Sequence, residues 1–225
     1  MAKRLFDLFF SFLGLVLTSP VLVVIAALIK LGSKGPVFYR GERVGKDGKV
    51  FKIFKFRTMV VDAEKLGGSS TSNDDPRITG IGRRLRRFKL DELPQLINVF
   101  KGDMSFVGPR PEVKYYTDQF SEEEKAILSV RPGITDWASI RFSDEGGILA
   151  GHDDPDKAYE ELIRPNKIRL QLEYIKRRNL WIDLKIILTT IRAILFGPPE
   201  SMGPEAGWST AEQGNTNAAT EKERN

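Results

Sequence analysis

Residues 5–29 read LFDLFFSFLGLVLTSPVLVVIAALI, an apolar run with Asp7 as its only charge. About 20 apolar residues suffice to cross a bilayer, so length permits a span. Two features argue against a plain crossing. Basic residues flank both ends, Lys3 and Arg4 before it and Lys30, Lys34, Arg40 and Arg43 after it, and positive charge marks the cytoplasmic side of a membrane segment. Thr18-Ser19-Pro20 also falls mid-run. Pro20 has no N–H, so a carbonyl one turn earlier loses its donor and the helix kinks. A Ser19 or Thr18 hydroxyl can satisfy that carbonyl inside lipid. Each arm is then at most roughly 22 Å long at about 1.5 Å per residue, short of the ~30 Å hydrocarbon core but ample for one leaflet. Two readings stand: a re-entrant helix broken at Ser19 and Pro20 that dips into one leaflet and returns, and an ordinary kinked transmembrane helix. A cleaved signal peptide fits poorly, because the run is long and no A-x-A-like site follows it.

The 225 residues suit one cored domain with appendages. Lys and Arg number 35 against 30 Asp and Glu, a net +5 that fits an anionic partner such as lipid headgroups, nucleotide phosphates or nucleic acid. The absence of cysteine excludes disulfides and thiolate chemistry. A single histidine, His152, excludes a multi-His metal centre. Carboxylate sites for a hard cation, Mg²⁺ held together with phosphate, stay open.

Downstream of Gly35-Pro36, VFYRGERVGKDGKVFKIFKF predicts two strands around a Lys46-Asp47-Gly48 turn. Thr58 to Leu66 reads as a short helix, 67–76 as a polar loop, and Ile81 to Lys89 as a basic helix. A further helix is expected from Asp91 to Lys101-Gly102. Ser121-x-x-Glu124 is a capping box. Pro165 to Arg178 reads as a helix, after a loop carrying Ser143, Gly146, Gly147, Asp153, Asp154 and Asp156. Trp181 to Phe196 is amphipathic, with Leu184, Ile187, Leu188, Ile191, Ile194 and Leu195 on one face. That face suits a membrane interface or a protein core. Residues 198–225 read as a disordered tail.

Chemistry concentrates in RRLRRFKLDELPQLINVFKGDMSFVGPRPE, residues 83–112. Asp91 and Glu92 follow a stretch of Arg83, Arg84, Arg86, Arg87 and Lys89. Acids and Pro are favoured in a first helical turn, which is a structural explanation for D-E-L-P. The same helix terminus and cations also hold a carboxylate anionic and attract phosphate. In Val107-Gly108-Pro109-Arg110-Pro111 two prolines stiffen the loop around Arg110, either as a bidentate phosphate grip or as a rigid surface turn. Along FKIFKFRTM, 51–59, alternation puts Lys55 and Arg57 on one face, where they would hold a diphosphate or simply face solvent. No zinc-finger spacing, RNP motif, Walker loop or Rossmann glycine pattern is present, which disfavours a nucleic-acid partner.

Taken together, KRLFDL at 3–8, Ser19-Pro20, FKIFKFRTM at 51–59, KLDELPQLINVFKGDMSFVGPRPE at 89–112 and RPGIT at 131–135 resemble the bacterial sugar transferase family, the small monotopic phosphoglycosyl transferases. The resemblance covers about residues 2–196. It implies an α/β, mostly helical monotopic membrane protein with a re-entrant broken N-terminal helix (1–34). A cytoplasmic catalytic domain (35–197) with a short β element and amphipathic interfacial helices would follow, and then the tail.

The implied enzyme is a phosphotransferase at the cytoplasmic face of a bacterial inner membrane. It moves a sugar-1-phosphate from a UDP-sugar to polyprenyl phosphate, usually undecaprenyl phosphate, releases UMP and opens glycoconjugate assembly. Asp91 matches the nucleophile that forms a covalent phosphosugar intermediate, and Glu92 its dyad partner, both placed at Mg²⁺. Lys55, Arg86 and Arg110 match substrate-binding cations. A homodimer is compatible with it. The alternative is a non-enzymatic membrane-surface binding protein. The chain departs from the family pattern after RPGIT, where Asp136-Trp137-Ala138-Ser139-Ile140-Arg141-Phe142 and an acidic loop follow, so sugar specificity does not transfer. It also looks like the minimal catalytic form, without the added membrane bundle of larger relatives.

Overall fold

A computed structural model describes residues 1–68 and 70–197. The stretch read as a disordered tail, 198–225, lies outside the described residues. The first element, α1 (Ala2–Gly32), is one continuous helix of 31 residues, with helical backbone carried through Pro20. Helical backbone thus runs through Ser19-Pro20, where a break was expected; a kink of the axis at a proline leaves such backbone continuous. The reason is local: Ser19 Oγ donates to the Val16 carbonyl at 2.8 Å, the acceptor that Pro20 leaves without a backbone donor. Thr18 Oγ1 donates to the Gly14 carbonyl at 2.7 Å. Asp7, Ser11, Ile25 and Ile29 are buried, and the partly covered Gly14, Thr18 and Leu22 lie between them. The covered positions therefore form one stripe at three- and four-residue spacing. Leu5, Phe9, Phe12, Val16, Leu17, Val23 and Val24 stay exposed on the rest of the helix.

The expected hairpin is present. β2 (Glu42–Val44) runs antiparallel to β3 (Val50–Lys52), and outside it β1 (Phe38–Tyr39) pairs with β4 (Lys55–Phe56), Phe38 opposite Phe56. The turn between β2 and β3 puts Asp47 (φ 56°) and Gly48 (φ 73°) in the left-handed region. The helix expected from Thr58 to Leu66 is not formed; only Ala63–Lys65 makes a 3-10 turn. Its backbone is engaged elsewhere: Thr79 N donates to the Thr58 carbonyl and Val60 N to the Arg77 carbonyl, both at 2.9 Å.

The basic helix is α2 (Gly80–Arg87), capped by the Thr79 hydroxyl, which accepts from Gly82 N. A 3-10 turn then covers Leu90–Glu92, and α3 (Gln95–Lys101) begins only after Pro94. The helix expected from Asp91 is thus two pieces, and the dyad lies on the turn. β5 (Ser105–Val107) lies parallel to β6 (Gly133–Thr135), a pairing not anticipated from the sequence. The two strands approach so closely that a Cβ on Gly133 would stand 2.1 Å from Gly108 N. Between them lie α4 (Lys114–Thr117) and a 3-10 helix, Glu124–Ser129. Its capping box is reciprocal: Ser121 N donates to Glu124 Oε2 at 2.7 Å and Glu124 N to Ser121 Oγ at 3.3 Å.

Then follow α5 (Trp137–Arg141), α6 (Glu145–Ile148), α7 (Pro155–Ala158), a π-helical turn at Tyr159–Ile163, α8 (Arg164–Arg177) and α9 (Leu180–Phe196). The last two match the expected helices. α9 buries Asp183 and Ile186, the latter with Val107, Ile140 and Tyr174. The apolar face singled out in the sequence is largely the opposite one: Trp181, Leu184, Leu188, Ile191, Ile194 and Leu195 are exposed, Trp181 at 82%.

Both ends of α1 dock onto this body. At its start Arg4 donates to the Val99 and Phe100 carbonyls at 2.6 and 2.8 Å, placing a cation on the C-terminal end of α3, where the helix dipole favours it. Asp7 Oδ1 accepts from Ser105 Oγ and Phe106 N, each at 3.1 Å. Lys3 Nζ reaches the Val107 carbonyl at 2.9 Å and Asp183 at 2.5 Å. At its end Ile25 and Ile29 pack with Phe56 and Leu85.

Candidate active site

Asp91 and Glu92 are positioned from both sides. Lys89 enters the turn in a left-handed conformation (φ 54°), and its ammonium donates to the Ser143 carbonyl at 2.7 Å. Behind the turn, α3 projects Asn98, whose amide bridges the strand segment: Nδ2 donates to the Lys52 carbonyl at 2.9 Å and Oδ1 accepts from Phe54 N at 2.8 Å. One side chain thereby sets the strand bearing Lys55 against the helix that follows the dyad. Ile53 locks the junction by burying with Val99 and Met104.

Three of the expected residues meet directly. Lys55 Nζ donates to Glu92 Oε1 at 2.9 Å. Arg110 forks onto the same carboxylate, NH1 to Oε2 at 3.1 Å and NH2 to Oε1, a charge-assisted bidentate pair. NH1 also reaches the Ile134 carbonyl at 3.3 Å. The Arg110 backbone N–H donates to Asp136 Oδ2 at 3.2 Å, while Asp136 Oδ1 caps α5 through Ser139 N at 2.6 Å.

Asp91 is buried, 7% exposed, and no hydrogen bond holds its carboxyl among the described residues. Burial and then the Glu92 charge push it above the usual carboxylate range, against Lys55, Arg86 and Lys89. Burial would raise Glu92 too, but Arg110 and Lys55 outweigh it and hold that carboxyl well below its ordinary value. Burial lowers Lys55, with Glu92 opposing. The dyad is therefore split into a firmly ionised partner and a more basic carboxyl. Arg86 adds a buried guanidinium nitrogen, NH1, with no hydrogen-bond partner among the described residues. Four cations around two carboxylates leave the site electropositive and suited to an anion.

Arg57 does not join this group. Its guanidinium is buried at the end of α1, donating to the Lys34 carbonyl at 2.7 Å, the Ser33 carbonyl at 3.1 Å and Ser33 Oγ at 2.7 Å. The expectation that Lys55 and Arg57 converge on one diphosphate is corrected, because β4 ends at Phe56 and the chain turns to meet α1. Asp136 and Asn98 carry weight that the sequence reading did not assign. The local signal for Asp136 is an Asp three residues before Ser139 at a helix start; nothing local marks Asn98.

Mg²⁺ would find two carboxylates here, one of which, Glu92, is already held by Lys55 and Arg110. Asp91 and Glu92 offer adjacent hard oxygens, and no group of three acidic or histidine residues able to hold a metal occurs among the described residues. The other positions around such an ion would fall to water and substrate phosphate, the usual preference of Mg²⁺.

The family model described as bacterial sugar transferase matches residues 1–197. The chain is 40% identical over 198 residues to a UDP-N-acetylgalactosamine-undecaprenyl-phosphate N-acetylgalactosaminephosphotransferase of Aeromonas hydrophila, covering 87% of this chain and 44% of that protein. It is 43% identical over 201 residues to an undecaprenyl-phosphate glucose phosphotransferase of Komagataeibacter xylinus, covering 86% and 36%. To a UDP-glucose:undecaprenyl-phosphate glucose-1-phosphate transferase of Escherichia coli K12 it is 41% identical over 193 residues, covering 84% and 39%. The chain thus spans less than half the length of these relatives. A match across all the described elements, from α1 to α9, shows that the chain belongs to the bacterial sugar transferase family.

Proposed function

We propose that the protein transfers a sugar-1-phosphate from a UDP-sugar to undecaprenyl or a related polyprenyl phosphate, releases UMP, and so starts the assembly of a polysaccharide or other glycoconjugate. The observation that carries this reading is the split dyad: a buried Asp91 carboxyl with no hydrogen bond among the described residues, beside a Glu92 clamped by Lys55 and Arg110. Burial makes the Asp91 oxygen more basic and hence a stronger nucleophile. It attacks the phosphorus that bears the sugar. An Oδ–P bond forms, the bond to the bridging oxygen breaks, and UMP leaves with that electron pair. An oxygen of the lipid phosphate then attacks the same phosphorus and releases Asp91. Lys55, Arg86 and Arg110 bind and orient the diphosphate, exchanging part of their hold on the dyad for phosphate oxygens. Asp91 and Glu92 would hold Mg²⁺, which when bound neutralises charge on the diphosphate.

The acceptor is a lipid, and the apolar surfaces fit a membrane-bound protein. α1 is long and apolar enough to cross a membrane. Yet Lys3, Arg4 and Asp7 at one end and Ile25 and Ile29 at the other all contact the same body. That supports a helix that enters one leaflet and returns with both ends at the cytoplasmic face of the inner membrane, the exposed face of α9 lying in the interface. Single cysteines at positions 2 and 34 should then both label from the cytoplasmic side; labelling of position 2 from outside would rule this topology out.

The reaction is tested by UMP release from full-length protein in nanodiscs with Mg²⁺, undecaprenyl phosphate and a panel of UDP-sugars that includes glucose and N-acetylgalactosamine. Release with one sugar, dependent on lipid phosphate, supports the assignment and identifies the donor. No release from folded protein across the panel would refute a UDP-sugar donor.

A further inference from the structure

α8 presents three buried polar residues, Lys167, Gln171 and Tyr174. Spacings of four and three place them on one helical stripe. Lys167 and Tyr174 reach the segment Val107–Glu112, which carries Arg110, directly, and Gln171 reaches it through Asp136. At its far end, Lys167 Nζ lies 2.7 Å from Glu112 Oε1 and donates to the Tyr159 hydroxyl at 2.8 Å, and Tyr159 donates to the same Glu112 oxygen at 3.0 Å. In the middle, Gln171 Nε2 donates at 3.2 Å to Asp136 Oδ2, the oxygen that accepts the Arg110 backbone N–H. At the near end, the Tyr174 hydroxyl sits 3.4 Å from the Val107 carbonyl while donating to Asp183 at 2.8 Å.

The segment's carbonyls are held elsewhere, Pro109 by Gly133 N and Glu112 by Val44 N, but it has few backbone donors of its own. Pro109 and Pro111 have no N–H to donate, and Gly108 N already donates to the Thr135 carbonyl. A buried Lys–Glu pair is a costly way to fill a core, and apolar packing of the same volume is often at least as stable. None of the three α8 side chains makes a hydrogen bond or ion pair to Asp91 or Glu92. The network is built around the loop rather than the dyad. We infer that α8 is a splint for the arginine loop, with Lys167, Tyr159 and Gln171 as positioning residues that hold the Arg110 fork where it meets the donor diphosphate.

This inference rests on the transferase reading above, so the test separates the two. Lys167→Met, Lys167→Arg, Tyr159→Phe and Gln171→Met are made in full-length protein, alone and with Arg110→Ala, and assayed in nanodiscs under single-turnover conditions. Lys167→Met is expected to raise the half-saturating donor concentration about ten- to a hundredfold while leaving that for lipid phosphate unchanged. Lys167→Arg should recover most of the loss. In the Arg110→Ala background Lys167→Met should change nothing further, since residues that act through one another are not additive. An equal loss in both backgrounds, or none in either, overturns the inference. Where Lys167→Met fails to fold, Tyr159→Phe and Gln171→Met carry the same comparison. An inactive wild type would count against the transferase reading alone. Hydrogen exchange over residues 107–112 would then decide: faster exchange in Lys167→Met or Gln171→Met is expected, and unchanged exchange overturns the splint.

Discussion

Replacing Arg110 by lysine keeps the charge and removes the fork. Glu92 accepts three donors in the structure, one from Lys55 and two from Arg110. A lysine ammonium is a point charge that cannot reproduce two parallel N–H bonds in one plane, so at least one charge-assisted bond is lost. Hydrogen bonds to charged groups contribute about 1.5–3 kcal/mol each, and both partners are mostly covered, with side-chain exposures of 26% and 16%. At about 1.4 kcal/mol per decade, one lost bond predicts a fall in kcat/KM of roughly 10- to 150-fold if the same fork grips the donor phosphates. The assay is initial-rate UMP release against donor concentration, with unfolding followed in parallel so that losses are counted per folded molecule. Arg110→Ala should fall further, since the charge goes too. If Arg110→Lys turns over within twofold of the wild type, the fork is not a phosphate grip.

Three further outcomes follow from the same geometry. Asp91→Asn should reduce UMP release on the order of 10⁴-fold and yet raise Tm at neutral pH. The folded carboxyl is pushed up, so the stability of its protonated form is fully present at low pH and is lost as pH rises through the raised folded value. The gain in Tm should therefore vanish in acid, and a variant less stable than wild type at neutral pH would contradict the account. Glu92→Gln should move the acid limb of kcat/KM, or the Asp91 carbon shift read by NMR, to lower pH, because the Glu92 charge is the second cause raising Asp91; a limb moving upward would reverse the sign. Arg57→Ala should cost about 1.5–3 kcal/mol of stability, measured by denaturant unfolding, with kcat/KM per folded molecule unchanged. A selective loss of donor affinity would return Arg57 to the site.

What the sequence made legible was local. The β2–β3 turn, the Ser121–Glu124 box and the reach of α8 and α9 each depend on residues within a few positions of one another. The failures were contests that distant groups won. The 58–66 segment has helical composition, but its carbonyls and amides are claimed by residues 77–79. Arg57 has the right parity to join Lys55, yet the C-terminal end of α1 offers it three oxygen acceptors. The parallel β5–β6 pair joins two three-residue strands across a long excursion, too short for any periodic signal. Within the site, Asp91, Glu92, Lys55 and Arg110 were visible as charges at motif positions. The amide of Asn98 that sets Lys55 was not, since a polar residue within a helix carries no mark of the strand it will bridge.

The docking of α1 also dictates an order of events in the cell. Arg4 waits for Val99, 95 residues later, and Lys3 for Asp183, 180 residues later. At about 5–20 residues per second, the ribosome needs roughly 9–36 s to make that last partner. Phe56, Leu85 and Val99 emerge earlier, but until they do a helix of this hydropathy has no protein surface to cover it, and the bilayer is the solvent that suits it. Insertion then precedes folding, and the nascent α1 is the stage of synthesis most exposed to aggregation. Synthesis slowed between residues 30 and 99 would lengthen that exposure without altering a single contact of the finished protein.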